Sequence, residues 1–109
     1  MNHSRFPGAK YANIFSYKRT NTSDGYEDLD EQTLLLVREI PGYLGYENIK
    51  DSSGRSIFIS YWDSKKAIDL WRKNAVHKMA KDKSKTWYSA YHTMLVHIEY
   101  SNEYNSQQL

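Results

Sequence analysis

Residues 41–71 read PGYLGYENIKDSSGRSIFISYWDSKKAIDLW, and this stretch decides the fold. Pro41-Gly42 cannot continue a helix, and Tyr43, Leu44, Tyr46 and Ile49 then supply the aromatic and β-branched composition of a strand. Asp51-Ser52-Ser53-Gly54 is a turn. Ile57-Phe58-Ile59-Ser60-Tyr61-Trp62 is the most β-prone segment of the chain, and it stops at Asp63-Ser64, two residue types that cap helix N-termini. The spacing then predicts a short helix over 64–73 with Ala67, Ile68 and Trp71 inward, broken near Asn74. Strand, turn, strand, helix is the centre of the chain.

The flanking segments extend this pattern on both sides. Residues 11–17 read as a first strand, with Tyr11, Asn13, Phe15 and Tyr17 on one face and Ala12, Ile14 and Ser16 on the other. Asp24 can cap a helix reaching about Ile40, on which Tyr26, Leu29, Thr33, Leu36, Val37 and Ile40 recur at three- and four-residue steps. Asp24, Glu27 and Asp28 at its start and Arg38 in its last turn suit the helix dipole. A further helical segment is expected from Ala75 to about Lys85, and Tyr91 to Tyr100 is the last strand, with His92 and His97 on opposite faces. Residues 1–10 read as a flexible lead-in, 11–104 as a single domain and 105–109 as a polar tail.

The order β-α-β-β-α-β, two right-handed crossovers joined by a hairpin, predicts an α+β ferredoxin-like domain. Its four-stranded antiparallel sheet carries the helices on one face. Apolar residues on both faces of the first and last strands leave the uncovered face to pack on a second copy of itself. A homodimer is the expectation.

Composition bounds the function. The chain has 109 residues and no cysteine, so disulfides, thiolate metal sites and a cysteine nucleophile are excluded. There is no apolar run of about 18 residues and no signal-peptide block, which points to the cytoplasm and away from a membrane partner. Fifteen basic against 13 acidic side chains leave a formal charge of +2, too weak a field to imply nucleic acid. Lys78, Lys81, Lys83 and Lys85 read as the solvated face of a helix. Ten tyrosines and three tryptophans exceed what so small a core needs, and suggest an aromatic-lined cavity or a subunit interface. Four histidines without a spaced motif do not make a metal site, and no glycine-rich phosphate loop supports flavin or nicotinamide.

PGYLGYEN, ISYWDS, AIDLWRKNAVHKMA and WYSAY, in that order and spacing, resemble the blocks of the antibiotic biosynthesis monooxygenase superfamily, the dimeric α/β-barrel proteins. The resemblance runs from Tyr11 to Tyr104. It implies the ferredoxin-like fold, a homodimer, and a cavity between helices and sheet. It also implies a cofactor-independent monooxygenase that uses molecular oxygen on a planar phenolic or quinol-type molecule. The residues it singles out as catalytic are Trp71, Asn13 and His77. Trp71 matches a tryptophan that lines the substrate cavity in oxygenase members, and its indole N–H can donate to a carbonyl or peroxy oxygen. Asn13 is the polar member of an aromatic strand face, and His77 has the ring chemistry of a general base. Phe15, Tyr61 and Trp62 are pocket candidates.

Each has a plainer reading: Trp71 as core, Asn13 as an ordinary strand residue, His77 as a local cap, and Trp87, Tyr88 and Tyr91 as anchors of the last strand. Lys81 stands where the resemblance puts the axial histidine of the haem-degrading branch, and a protonated lysine is a poor iron ligand, so haem is not expected. The alternatives are a non-catalytic dimeric barrel that binds a small ligand or serves a stress response, and, third, a haem-binding or haem-degrading enzyme.

Overall fold

The computed structural model describes residues 5–21, 25–74 and 84–106. Its elements are β1 (Tyr11–Arg19), α1 (Tyr26–Val37), β2 (Tyr43–Lys50), β3 (Arg55–Trp62), α2 (Lys65–Arg72), α3 (Ser84–Trp87) and β4 (Tyr88–His97). The strands form one sheet in the order β2-β3-β1-β4, with every neighbouring pair antiparallel. This is the expected ferredoxin-like arrangement. Each helix-containing connection steps over one intervening strand, so strands distant in sequence become neighbours.

The central stretch folds as its local chemistry dictates. Asp51 Oδ1 accepts from the backbone N–H of Ser53 at 2.9 Å and of Arg55 at 3.0 Å, which closes the β2–β3 turn. These bonds, with one from the Ser53 hydroxyl, hold the Asp51 carboxyl below its usual range; the hydroxyl bond is the largest contribution. Ser64 caps α2, its Oγ accepting from Ala67 N at 3.2 Å, and Ala67, Ile68 and Trp71 are the buried residues of that helix. Gly42 has φ 97°, and its carbonyl accepts from Asp63 N at 2.8 Å. A Cβ on Gly42 would stand 2.7 Å from the Ala67 methyl, so the start of β2 approaches α2 more closely than any side chain permits.

Element ends differ from expectation in four places. β1 runs two residues further, to Arg19. The N-cap of α1 is Gly25, in the left-handed conformation with no side-chain cap bond, and Asp24 lies outside the described residues. That helix ends at Val37 with Arg38 as its C-cap, because the chain must turn before Pro41. β4 begins at Tyr88 and ends at His97, three residues earlier than the β-rich run suggested. It starts early because Tyr88 pairs with Arg19 across a register shift. The helix expected over 75–85 falls largely outside the described residues, although Ser84–Trp87 is helical.

The core on the helix side has two packed ends. At one, Trp62, 1% exposed, meets Val37, Ala67, Ile68 and Trp71, with Tyr11, Ile40 and Tyr43 packed against them. At the other, Tyr17 and Trp87 are buried among the rings of Phe15, Tyr26 and Tyr88. The Arg19 guanidinium sits 3.4 Å over the Tyr26 ring, and its Nε donates to the Trp87 carbonyl at 3.2 Å.

On the opposite face Ile14 lies between Ile59 of β3 and Met94 of β4. Residues 5–10 hold no helix or strand and lie against this face, where Phe6 stacks on Tyr61 at 4.1 Å between ring centres. Arg5 pairs with Glu47 at 2.9 Å. A cavity of about 170 Å³ here is lined by Arg5, Phe6, Tyr61, Ile98, Ser101 and Glu103, among others.

Candidate functional site

Between the two packed ends, the helix-facing side of the sheet carries two rows of side chains that the pairings set side by side. One row is Tyr46, Ser60, Asn13 and Leu95; the next is Asn48, Phe58, Phe15 and Thr93. Facing residues on antiparallel neighbours have Cα atoms about 4.5–5.5 Å apart, so each row is continuous in space. Asn13, Phe15 and Phe58 are half-buried, whereas Tyr46, Asn48, Thr93 and Leu95 are exposed. The two rows therefore open at the outer strands, with Ser60 and Asn13 in the middle of the first row and Phe58 and Phe15 in the middle of the second.

The aromatic part of this surface is ordered by ring contacts. Tyr46 stacks on Phe58 with centres 5.0 Å apart, and Phe15 contacts Tyr17 at 5.0 Å and the edge of Tyr88 at 5.2 Å. The polar part consists of neutral groups. Asn13 Oδ1 accepts from the Thr93 hydroxyl at 3.5 Å, and Ser60 Oγ accepts from the Trp62 indole N–H at 3.0 Å. Ser60 is 8% exposed. Such a surface offers rings to stack on and neutral donors and acceptors beside them.

The phenols bordering the rows are held neutral. Burial pushes Tyr43 up to about 12, with Tyr46 adding to the effect and Arg38 opposing it. Burial also raises Tyr88, whose hydroxyl donates to Tyr26 at 3.5 Å. Tyr26 is raised as well, chiefly by burial. Among the described residues no group of three His, Cys, Asp or Glu side chains converges on a possible metal position.

The structure brings some of the sequence candidates together and separates others. Asn13 and Phe15 share the helix-facing side, and Trp62 and Trp71 meet in the packed core at one end of it. Trp71 is 9% exposed, so most of its ring contacts core. Tyr61 lies across the sheet from all of these, stacked on Phe6 with its hydroxyl directed to Glu47 at 3.3 Å. His77 is outside the described residues. Trp87 and Tyr88 fit the anchoring role, Trp87 being buried and Tyr88 packed on both Tyr17 and Tyr26, whereas Tyr91 is 45% exposed. Ser60, Phe58 and Thr93 were not singled out in the sequence. The one available signal was that Ser60 precedes Trp62 by two residues in a strand, which puts both on one face.

The family model described as "Antibiotic biosynthesis monooxygenase" matches residues 21–83. The uncharacterised protein YqjZ of Bacillus subtilis (strain 168) is 37% identical over 90 residues, which make up 82% of this chain and 79% of that protein. Among solved structures, Rv0793 of Mycobacterium tuberculosis superposes with a TM-score of 0.69 at 12% identity, covering 89% of this chain and 100% of that one. SnoaB of Streptomyces nogalater, a cofactor-independent oxygenase, superposes with a TM-score of 0.68 at 8% identity, covering 92% and 99%. No helix among the described residues is long and apolar enough to cross a membrane.

Proposed function

The chain belongs to the antibiotic biosynthesis monooxygenase family, and from that membership we propose that it is a cofactor-independent monooxygenase of a planar phenolic or quinol-type small molecule. It acts as a homodimer in the cytoplasm, through the single domain of residues 11–104. The observation that carries this reading is the half-buried, uncharged surface in which Phe15 and Phe58 lie beside Asn13 and Ser60. The oxygenase activity of SnoaB, a structural relative, favours the same chemistry here.

The reaction balances without a protein redox group. A CH₂ carbon of an anthrone-type substrate loses a proton, and the resulting carbanion reduces O₂. Recombination forms a peroxide, and loss of water leaves the ketone. In sum R₂CH₂ + O₂ gives R₂C=O + H₂O, with all four electrons drawn from the substrate carbon. The protein's contribution is to stack the rings, exclude water and hold the substrate oxygens with hydrogen bonds that strengthen as negative charge develops. His77 is the candidate base, and Trp71 forms the wall at the α2 end.

The test is oxygen uptake with dithranol or a menaquinol analogue, aerobically and anaerobically. Expected is uptake matched mole for mole by product, reduced in Trp71→Phe and His77→Ala. Uptake no faster than in buffer, with both variants indistinguishable from the wild type, would sink the enzyme reading.

A second reading, a non-catalytic barrel that retains a small aromatic ligand, is favoured by the placement of Trp62 and Trp71 in the core cluster. It predicts ligand recovered unchanged after incubation with O₂. Haem binding is a separate outcome, reported by a Soret shift on titration with haemin.

A further inference from the structure

We propose that Arg5 and Phe6 form a strap that competes with a second copy of the chain for the sheet face opposite the helices, so that the homodimer assembles only as the strap lifts. This rests on the homodimer of the proposed function and adds the element that controls it.

The strap is a reversal of the chain just ahead of β1. The Lys10 N–H donates to the Trp62 carbonyl at 2.9 Å, and the Lys10 carbonyl accepts from the Ile98 N–H at 2.8 Å. These bonds root the segment between β3 and the residues that follow β4. Towards the N-terminus, Gly8 with φ 83° turns the chain, and the Ala9 N–H closes the turn on the Phe6 carbonyl at 3.1 Å. Phe6 and Arg5 are thereby laid over the face. The Phe6 ring stacks on Tyr61 of β3, with centres 4.1 Å apart and planes within 16°. On β2, a Cβ at Gly45 would stand 2.6 Å from Phe6 Cε1, so the ring fills the place a side chain would take there. The Arg5 guanidinium reaches Glu47 Oε1 at 2.9 Å, and the Arg5 backbone N–H donates to Glu103 at 3.1 Å.

The strap thus covers the β2 and β3 part of the face. Glu47 stands opposite Ile59, so the ion pair sits at the β2 end of the apolar row that Ile59 continues to Ile14 and Met94. Two sheets packed face to face lie about 10 Å apart, a gap that the side chains of the two faces fill. A strap with its own backbone is a third layer, for which that gap has no room. The half left uncovered is too small for a stable pair. With strands of nine residues, the length of β1, spaced about 4.8 Å apart, two strands give a footprint of about 300 Å² and four about 600 Å². Each partner in a standard interface buries about 800 Å². The second copy therefore needs β2 and β3 as well, and their face is clear only when the strap is up. The strap's side-chain hold is one stacked ring pair and one ion pair whose arginine side chain is 65% exposed, a hold that a whole sheet face can displace.

The experiment is sedimentation equilibrium of the full chain over a range of concentrations. Each dimer needs two lifted straps, so its dissociation constant varies as the inverse square of the lifted fraction while that fraction is small. A variant that lifts the strap about threefold more often tightens the dimer about tenfold. Phe6→Ala, which loses the stacked ring, is expected to show that tightening. Arg5→Ala shifts the dimer in the same direction by less, because its ion pair is largely exposed. Hydrogen exchange in the wild type separates release of the strap from adhesion created by the substitution: the Arg5 N–H exchanges faster in the dimer than in the monomer. A Phe6→Ala dimer no tighter than that of the wild type, or slower Arg5 exchange in the wild-type dimer, overturns the strap's role and leaves the homodimer standing. If neither protein dimerises, the two fall together.

Discussion

Trp62 and Ser60 lie two residues apart on β3, side by side on its helix-facing side, joined by a 3.0 Å hydrogen bond from the indole N–H to the hydroxyl oxygen. Phe in place of Trp62 removes that donor and leaves a void against Ala67, Ile68 and Trp71. Trp62→Phe is expected to lose about 2–4 kcal/mol of stability, from the cavity and the lost bond together. Urea unfolding of the two proteins measures it; a loss below about 1 kcal/mol would show that the site's floor does not depend on this contact.

Gly42 and Gly54 offer a paired comparison. Both have positive φ, 97° and 91°, but an added Cβ meets Asp63 and Ala67 at Gly42 and nothing within 4 Å at Gly54. Gly54→Ala should cost only the left-handed backbone penalty, about 1–2 kcal/mol. Gly42→Ala should cost more, because the start of β2 must also move off α2. Equal losses in thermal unfolding of the two variants would contradict the close approach.

Tyr43 gives the alkaline limb of stability a definite sign. Its phenol ionises at about 12 in the folded protein against about 10 in an unfolded chain. Between these values the unfolded state has released its proton and the folded state has not. The contribution is therefore intact below about pH 10 and is lost as pH rises to about 12. Unfolding free energy measured across this window should fall more steeply in the wild type than in Tyr43→Phe, with parallel curves as the contrary result.

The face opposite the helices carries the prediction for assembly. Ile59, Ile14 and Met94 form one apolar row across β3, β1 and β4, and Met94 is 42% exposed. If this row is the dimer contact, a carboxylate at its β4 end buries an unpaired charge in the interface. Met94→Glu should sediment as a monomer with unchanged far-ultraviolet circular dichroism, while the wild type sediments as a dimer. A wild type that is monomeric at micromolar concentration removes the proposed dimer.

The local elements were legible in residues 41–74 because their causes are local. Ser64 caps α2, three inward residues follow at helical spacing, and Asp51 closes the turn before β3; each depends on side chains a few positions apart. The element order, read with the crossover rule, was enough for the topology. It was also enough to put Asn13 with Phe15, and to part Tyr61 from Trp62, since alternation along one strand needs no partner.

What the sequence could not supply is which residues face each other across strands. Ser60 stands beside Asn13 only because β1 pairs with β3 in one register, and a slip of one residue would turn Ser60 to the other face and bring Tyr61 to the site instead. That register is fixed by packing both ends of the helix-facing side at once, Trp62 on α2 at one end and Tyr17 against Trp87 and Tyr88 at the other. These contacts join residues that lie far apart in the chain. The sequence alone therefore determined the elements and their order; the tertiary structure decided that a serine, an asparagine and two phenylalanines share one surface.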